Sequence, residues 1–205
     1  MGNLLHITTK HTGKMAGMHS LSSSCKQNPY CMQRSKIDGT ICQKCYAQNM
    51  MKMYKALDPC MAKNGDILSS RVLSEDELPV LNVAYFRFEA FGDLINDIHA
   101  INFFNICKAN PDTHFALWTK NPGLIQAAID KGNDKPDNLQ IVLSSPYVNV
   151  KADNKWEFVD KMFTVYDKTF IKENNIEVNC HGKSCLKCKL CYLKNGVTDI
   201  KEQLK

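Results

Sequence analysis

The sequence predicts an α/β fold built on a mainly parallel sheet. Apolar and aromatic runs recur through the middle of the chain, stretches of 10 to 15 helix-compatible residues separate them, and polar residues gather where each run ends. Of the 205 residues, 44% are hydrophobic, enough to bury a sizeable core in one domain. The reading divides residues 1–205 into an N-terminal cysteine-rich segment at 1–60, a βα core at 80–180 and a C-terminal cysteine-rich tail at 180–205.

Residues 6–24 are polar, carry Gly13 and Gly17, and show no helical period, so they read as a loop or irregular strand. Tyr46 through Leu57 contains good helix formers with no breaker before Pro59, and its methionines read as core filler. Leu81–Phe88 is the first strand, followed by a helix over Asn96–Ala109. His114–Thr119 is the second, with a helix at Pro122–Lys131 behind it, and Leu139–Ser144 is the third. Lys161–Tyr166 and a short Ile176–Cys180 complete the set. Helical crossovers of that length imply right-handed βαβ units.

Cysteine spacing supplies the strongest chemical signal. Cys180, Cys185, Cys188 and Cys191 are separated by four, two and two residues. Two intervening residues let a tight turn aim both sulfurs at one centre, as in ferredoxin iron-sulfur loops, with a zinc knuckle as the competing arrangement. A second group comprises Cys25, Cys31, Cys42 and Cys45, of which only the Cys42/Cys45 pair has the tight spacing. All eight are predicted ligands. His181 lies inside the tail loop but adds nothing to a complete set of four sulfurs, Cys107 reads as a small buried hydrophobe, and Cys60 is left unassigned.

Ligands of parallel α/β sheets bind beyond the carboxyl ends of the strands. The polar residues predicted there include Arg87, Glu89, Asp93 and Lys120, the candidates for contact with substrate. A plainer alternative makes Arg87 and Glu89 a structural ion pair, and Asp93, Ser144 and Ser145 caps or turns. His99 falls in a helical pattern and reads as a core or surface histidine.

The net charge of +5 is mild and dispersed apart from Lys183, Lys187 and Lys189. These lysines would offset thiolate charge, or form a small patch for nucleic acid, a weaker reading. No signal peptide or bilayer-length apolar run is visible, and Gly2 lacks the Ser or Thr that myristoylation wants at position 6, where His6 stands. The expectation is a cytoplasmic chain with no membrane association, whose thiols bind metal rather than form disulfides.

Several stretches together resemble the phage and plasmid proteins of the gene-product-eighty-eight type. They are Thr12-Gly13-Lys14-Met15, Cys42-Gln43-Lys44-Cys45-Tyr46-Ala47, Arg87-Phe88-Glu89-Ala90-Phe91-Gly92-Asp93, Trp118-Thr119-Lys120-Asn121, Asn138-Leu139, Ile141-Val142-Leu143-Ser144-Ser145 and the terminal thiol repeat. That family looks like a shortened radical-SAM-type barrel. The resemblance implies a partial (β/α) TIM-like barrel, two iron-sulfur clusters of the 4Fe-4S type, and the cytoplasm of a bacterial host. Radical-SAM enzymes use Cys-x-x-x-Cys-x-x-Cys, which leaves one iron open for S-adenosylmethionine. Here ten residues separate Cys31 from Cys42, and Cys25 supplies a fourth thiol that would close the site. The expected roles are a redox or radical-SAM-like protein with an electron donor or small-molecule substrate and S-adenosylmethionine as an optional further cofactor, a zinc-stabilised module binding nucleic acid or protein, or a scaffold whose clusters are only structural.

Overall fold

A computed structural model describes residues 4–182 and 184–204. The readings at Gly2 and Lys183 fall outside the described residues. Six strands form one sheet, β1 (His19–Leu21), β2 (Tyr85–Phe88), β3 (His114–Thr119), β4 (Leu139–Ser144), β5 (Lys161–Tyr166) and β6 (Asp199–Gln203). Their spatial order follows chain order, and every neighbouring pair is parallel. The helices are α1 (Pro29–Arg34), α2 (Tyr46–Met53), α3 (Leu57–Ser70), α4 (Asp97–Ala109), α5 (Gly123–Asp130), α6 (Lys168–Glu173) and α7 (Cys185–Cys188). Among the described residues, no helix is long and apolar enough to cross a membrane.

The two-residue alternation of β-strands gives the sheet two different faces. Phe86 and Phe88 of β2, Phe115 and Leu117 of β3, and Leu139 and Ile141 of β4 meet α3, α4 and α5 in the main core. At its centre the Phe88 ring lies 4.0 Å from Phe103 and 5.1 Å from Phe115, both stacked. On the other face Tyr85, Ala116 and Trp118 pack against Leu186, Cys191 and Tyr192. The thiol tail therefore lies across the sheet, opposite the helices.

Three sequence expectations need correction. Residues 176–180 do not form a sheet strand, because Cys180 makes only an isolated parallel bridge to Glu202. The place at the sheet's edge belongs instead to β6, where Ile200 alone is fully buried. The stretch at 6–24 contains β1, so the sheet extends beyond 80–180 at both ends. Finally, the helix starting at Tyr46 ends at Met53, and Pro59 sits in the first turn of α3. A first-turn residue has no intrahelical acceptor for its N–H, so proline costs nothing there.

Between β4 and β5 no helix intervenes among the described residues. Phe158 and Val159 pack against the main core in its place. Asp160 then fixes the entry to β5, accepting from the Ile141 amide at 2.7 Å and from Lys135 Nζ at 2.9 Å.

Candidate functional site

A cleft of about 1390 Å³ is lined by all eight predicted ligand cysteines and by Arg87, Glu89, Asp93 and Lys120. Thiols far apart in sequence thus face one space. Cys60 also borders it, whereas Cys107 is buried in the main core.

The first thiol group is held by short elements braced on the ends of β2 and β3. Asn28 caps α1, its side-chain oxygen accepting from the amides of Tyr30 and Cys31. Its Nδ2 donates to the carbonyls of Asp93 at 2.7 Å and Leu94 at 3.1 Å, and the Tyr30 hydroxyl donates to the Lys120 carbonyl at 2.6 Å. These bonds fix Cys31 beside the strand ends. Thr40 caps the single turn Ile41–Lys44 that carries Cys42, and Cys45 is the N-cap of α2. Cys25 is buried beside Met51, with its sulfur 3.6 Å from Met51 Sδ.

Electrostatics differ among these four sulfurs. The neighbouring Cys25 thiol favours the Cys45 thiolate and brings that thiol down to about 6, while Cys45 and burial push Cys25 up. Amides of Gln48 and Ala47 at the positive end of α2 further favour the Cys45 thiolate. Burial pushes Cys31 and Cys42 upward, with the Lys120 charge pulling the other way.

The second group is built around one turn. Helix α7 begins at Cys185 and ends at Cys188, and Lys189 at φ 56° reverses the chain so that Cys191 returns to the sheet. A left-handed lysine is uncommon, and here it serves that reversal. Cys180 stands apart, where Lys14 Nζ donates to its sulfur at 3.8 Å and to Glu202 Oε1 at 2.5 Å. Burial pushes the Cys191 thiol up to about 12, opposed by the charge of Arg87. Among the described residues, no three His, Cys, Asp or Glu side chains converge closely enough to hold a single metal ion. All eight thiols border the same cleft, where the cations of Lys14, Arg87 and Lys120 act on several of them.

The strand-end candidates have separate roles. Arg87 does not pair with Glu89, contrary to the plainer alternative. Its guanidinium lies 3.7 Å above the Trp118 ring. Glu89 is buried, accepts from the Ser23 amide and hydroxyl at 3.1 Å, and faces His99. Asp93 is also buried, accepting from Thr119 Oγ1 at 2.6 Å, the Lys120 amide at 2.9 Å and the Leu94 amide at 2.8 Å. Burial raises both carboxyls. Ser145 makes a local turn with Tyr147. Sequence reasoning missed Lys14, His11 and Trp118 as parts of this cleft, although Lys14 and Trp118 lie in two of the motifs it singled out.

A family model described as gene product 88 matches residues 3–203. No curated protein and no solved structure matches the chain.

Proposed function

The chain belongs to the gene product 88 family, and from that premise we propose that it is an iron-sulfur protein with a redox role. The observation that carries this reading is the lining of one cleft by two sets of four thiols. Cys25, Cys31, Cys42 and Cys45 would hold one 4Fe-4S cluster, and Cys180, Cys185, Cys188 and Cys191 the other. Bound clusters of this type supply one-electron transfer.

The chain's own residues favour thiolate ligation. Helix α2 and the Cys25 thiol stabilise Cys45 as an anion, and the charges of Lys14 and Arg87 oppose the burial that raises Cys185. Four thiols per set leave no open iron, which favours electron transfer over radical chemistry on S-adenosylmethionine. A small-molecule substrate would enter between the two sets, at the ends of β2 and β3. Six parallel strands in chain order also suit part of a (β/α) barrel, its inner face covered by the thiol tail. The setting fits a phage or mobile element acting in the cytoplasm of a bacterial host.

Anaerobic purification tests the proposal. Brown protein with broad visible absorption, acid-labile sulfide and about eight iron atoms per chain is expected. Colourless protein with stoichiometric zinc sinks it. Cys188→Ser is expected to remove about half the iron, and unchanged iron content refutes that ligand assignment. Added S-adenosylmethionine under reducing conditions is expected to give no 5′-deoxyadenosine.

A further inference from the structure

Arg87 is a cation without an anion. Its Nε is buried with no hydrogen-bond partner, and an NH group reaches only Met15 Sδ at 3.8 Å. Among the described residues no carboxylate pairs with it, and the three acids lining the cleft are engaged elsewhere. Glu89 is held by Ser23, Asp93 by Thr119 and two amides, and Glu202 by Lys14. A half-buried guanidinium left unpaired is unfavourable unless something else satisfies it.

The surroundings indicate what that something is. Trp118 supports one face of the guanidinium by cation–π stacking, which holds the plane in place at the cleft wall, where its two terminal NH groups rather than the buried Nε would meet an anion. His11 is close enough for the Arg87 charge to act on it, and its ring stacks on Phe91 with centroids 6.2 Å apart. Tyr46 continues that wall, 6.1 Å from Phe91. One rigid fork beside a row of aromatic rings suits a flat or apolar molecule that carries a single oxyanion.

We propose that Arg87 anchors the carboxylate or phosphate of an apolar-bodied small molecule, with Trp118 beneath the fork and His11, Phe91 and Tyr46 alongside the body. This names the substrate class for the cleft and rests on the redox reading only for what happens to the molecule afterwards. The competing role for Arg87 is counter-charge to Cys185 and Cys191, whose thiols it lowers. Charge alone would satisfy that role, so lysine would serve it. Bidentate recognition needs the fork.

Benzoate and phenyl phosphate are the probes, with benzamide as the uncharged control, titrated calorimetrically into anaerobically purified protein of measured iron content. Wild type is expected to bind at least one of the anions saturably and benzamide much more weakly. Arg87→Lys and Arg87→Gln are each expected to weaken anion binding about tenfold or more, while Arg87→Lys keeps its iron. Absence of anion binding by wild type, or wild-type affinity in Arg87→Lys, overturns the proposal. So does iron loss in Arg87→Gln with anion affinity unchanged. Iron-free wild type that still binds anions through Arg87 would defeat the cluster reading and leave this one standing.

Discussion

His99 Nε2 lies 3.3 Å from Glu89 Oε1, and neither side chain reaches solvent. His99 Nδ1 accepts from the Ile95 amide at 3.4 Å, which leaves the ring proton on Nε2, toward the carboxyl. Glu89 itself stands at φ 49°, in the left-handed region, and its bonds to Ser23 hold it there. The pair ties α4 to the end of β2, directly beneath the cleft.

Burial lowers the His99 pKa to about 3, whereas an unfolded chain's histidine titrates near about 6.5. Between those values the unfolded chain binds a proton that the folded chain refuses, so the His99 contribution to stability declines as pH falls through that window. Glu89 has the opposite sign: burial raises it, so its contribution falls as pH rises above the usual carboxyl value. His99→Gln keeps a polar side chain beside Glu89 without titrating. Thermal unfolding of both proteins between pH about 5 and about 7.5 is expected to show wild type losing up to about 1.4 kcal/mol per pH unit relative to the variant on acidification. Parallel curves for the two proteins would refute the assignment.

Gly92 has a packing reason to be glycine. A Cβ built there would stand 2.5 Å from Ser23 Oγ, 2.6 Å from Glu89 Oε2 and 2.6 Å from the Ser23 carbonyl oxygen. The carboxyl can swing away, but backbone must shift to relieve the last contact, so Gly92→Ala is expected to cost about 1–3 kcal/mol by overpacking. The same strain would reach Cys25 through the Ser23 segment, so on the proposed iron-sulfur reading the iron content is expected to fall by up to about half. Unaltered unfolding and iron content would show that the loop tolerates a methyl group.

The four inner strands β2, β3, β4 and β5 are legible in sequence because they are rich in buried apolar residues; all six residues of β4 are buried. β6 has no such run, since an edge strand with one buried residue looks like surface. Local spacing marks the tail cysteines and the Cys42/Cys45 pair but not Cys25 or Cys31, whose place at the same cleft depends on the fold. The Arg87–Trp118 stack is not: it arises because Arg87 pairs with Ala116 in the sheet, putting Trp118 two residues along on the same face. Lys14 and Glu202 meet across 188 residues of sequence, with no local pattern to announce them.

Cys45 is expected to be the most reactive thiol of the first set once iron is removed. Its anion is favoured by the neighbouring Cys25 thiol and by the amides that open α2, which brings its titration to about 6. Alkylation follows the thiolate, so the rate should rise with pH through that value and level off above it. Mapping iodoacetamide adducts by mass spectrometry on reduced, iron-free protein measures this residue by residue. Cys25→Ala removes that thiol and is expected to move the Cys45 rate profile to higher pH. Helix α2 still favours the anion in that variant, so the profile should stop short of an ordinary thiol's. Labelling of Cys45 no faster than that of exposed Cys188 near pH about 7 would mean that neither the neighbouring thiol nor the helix terminus activates it.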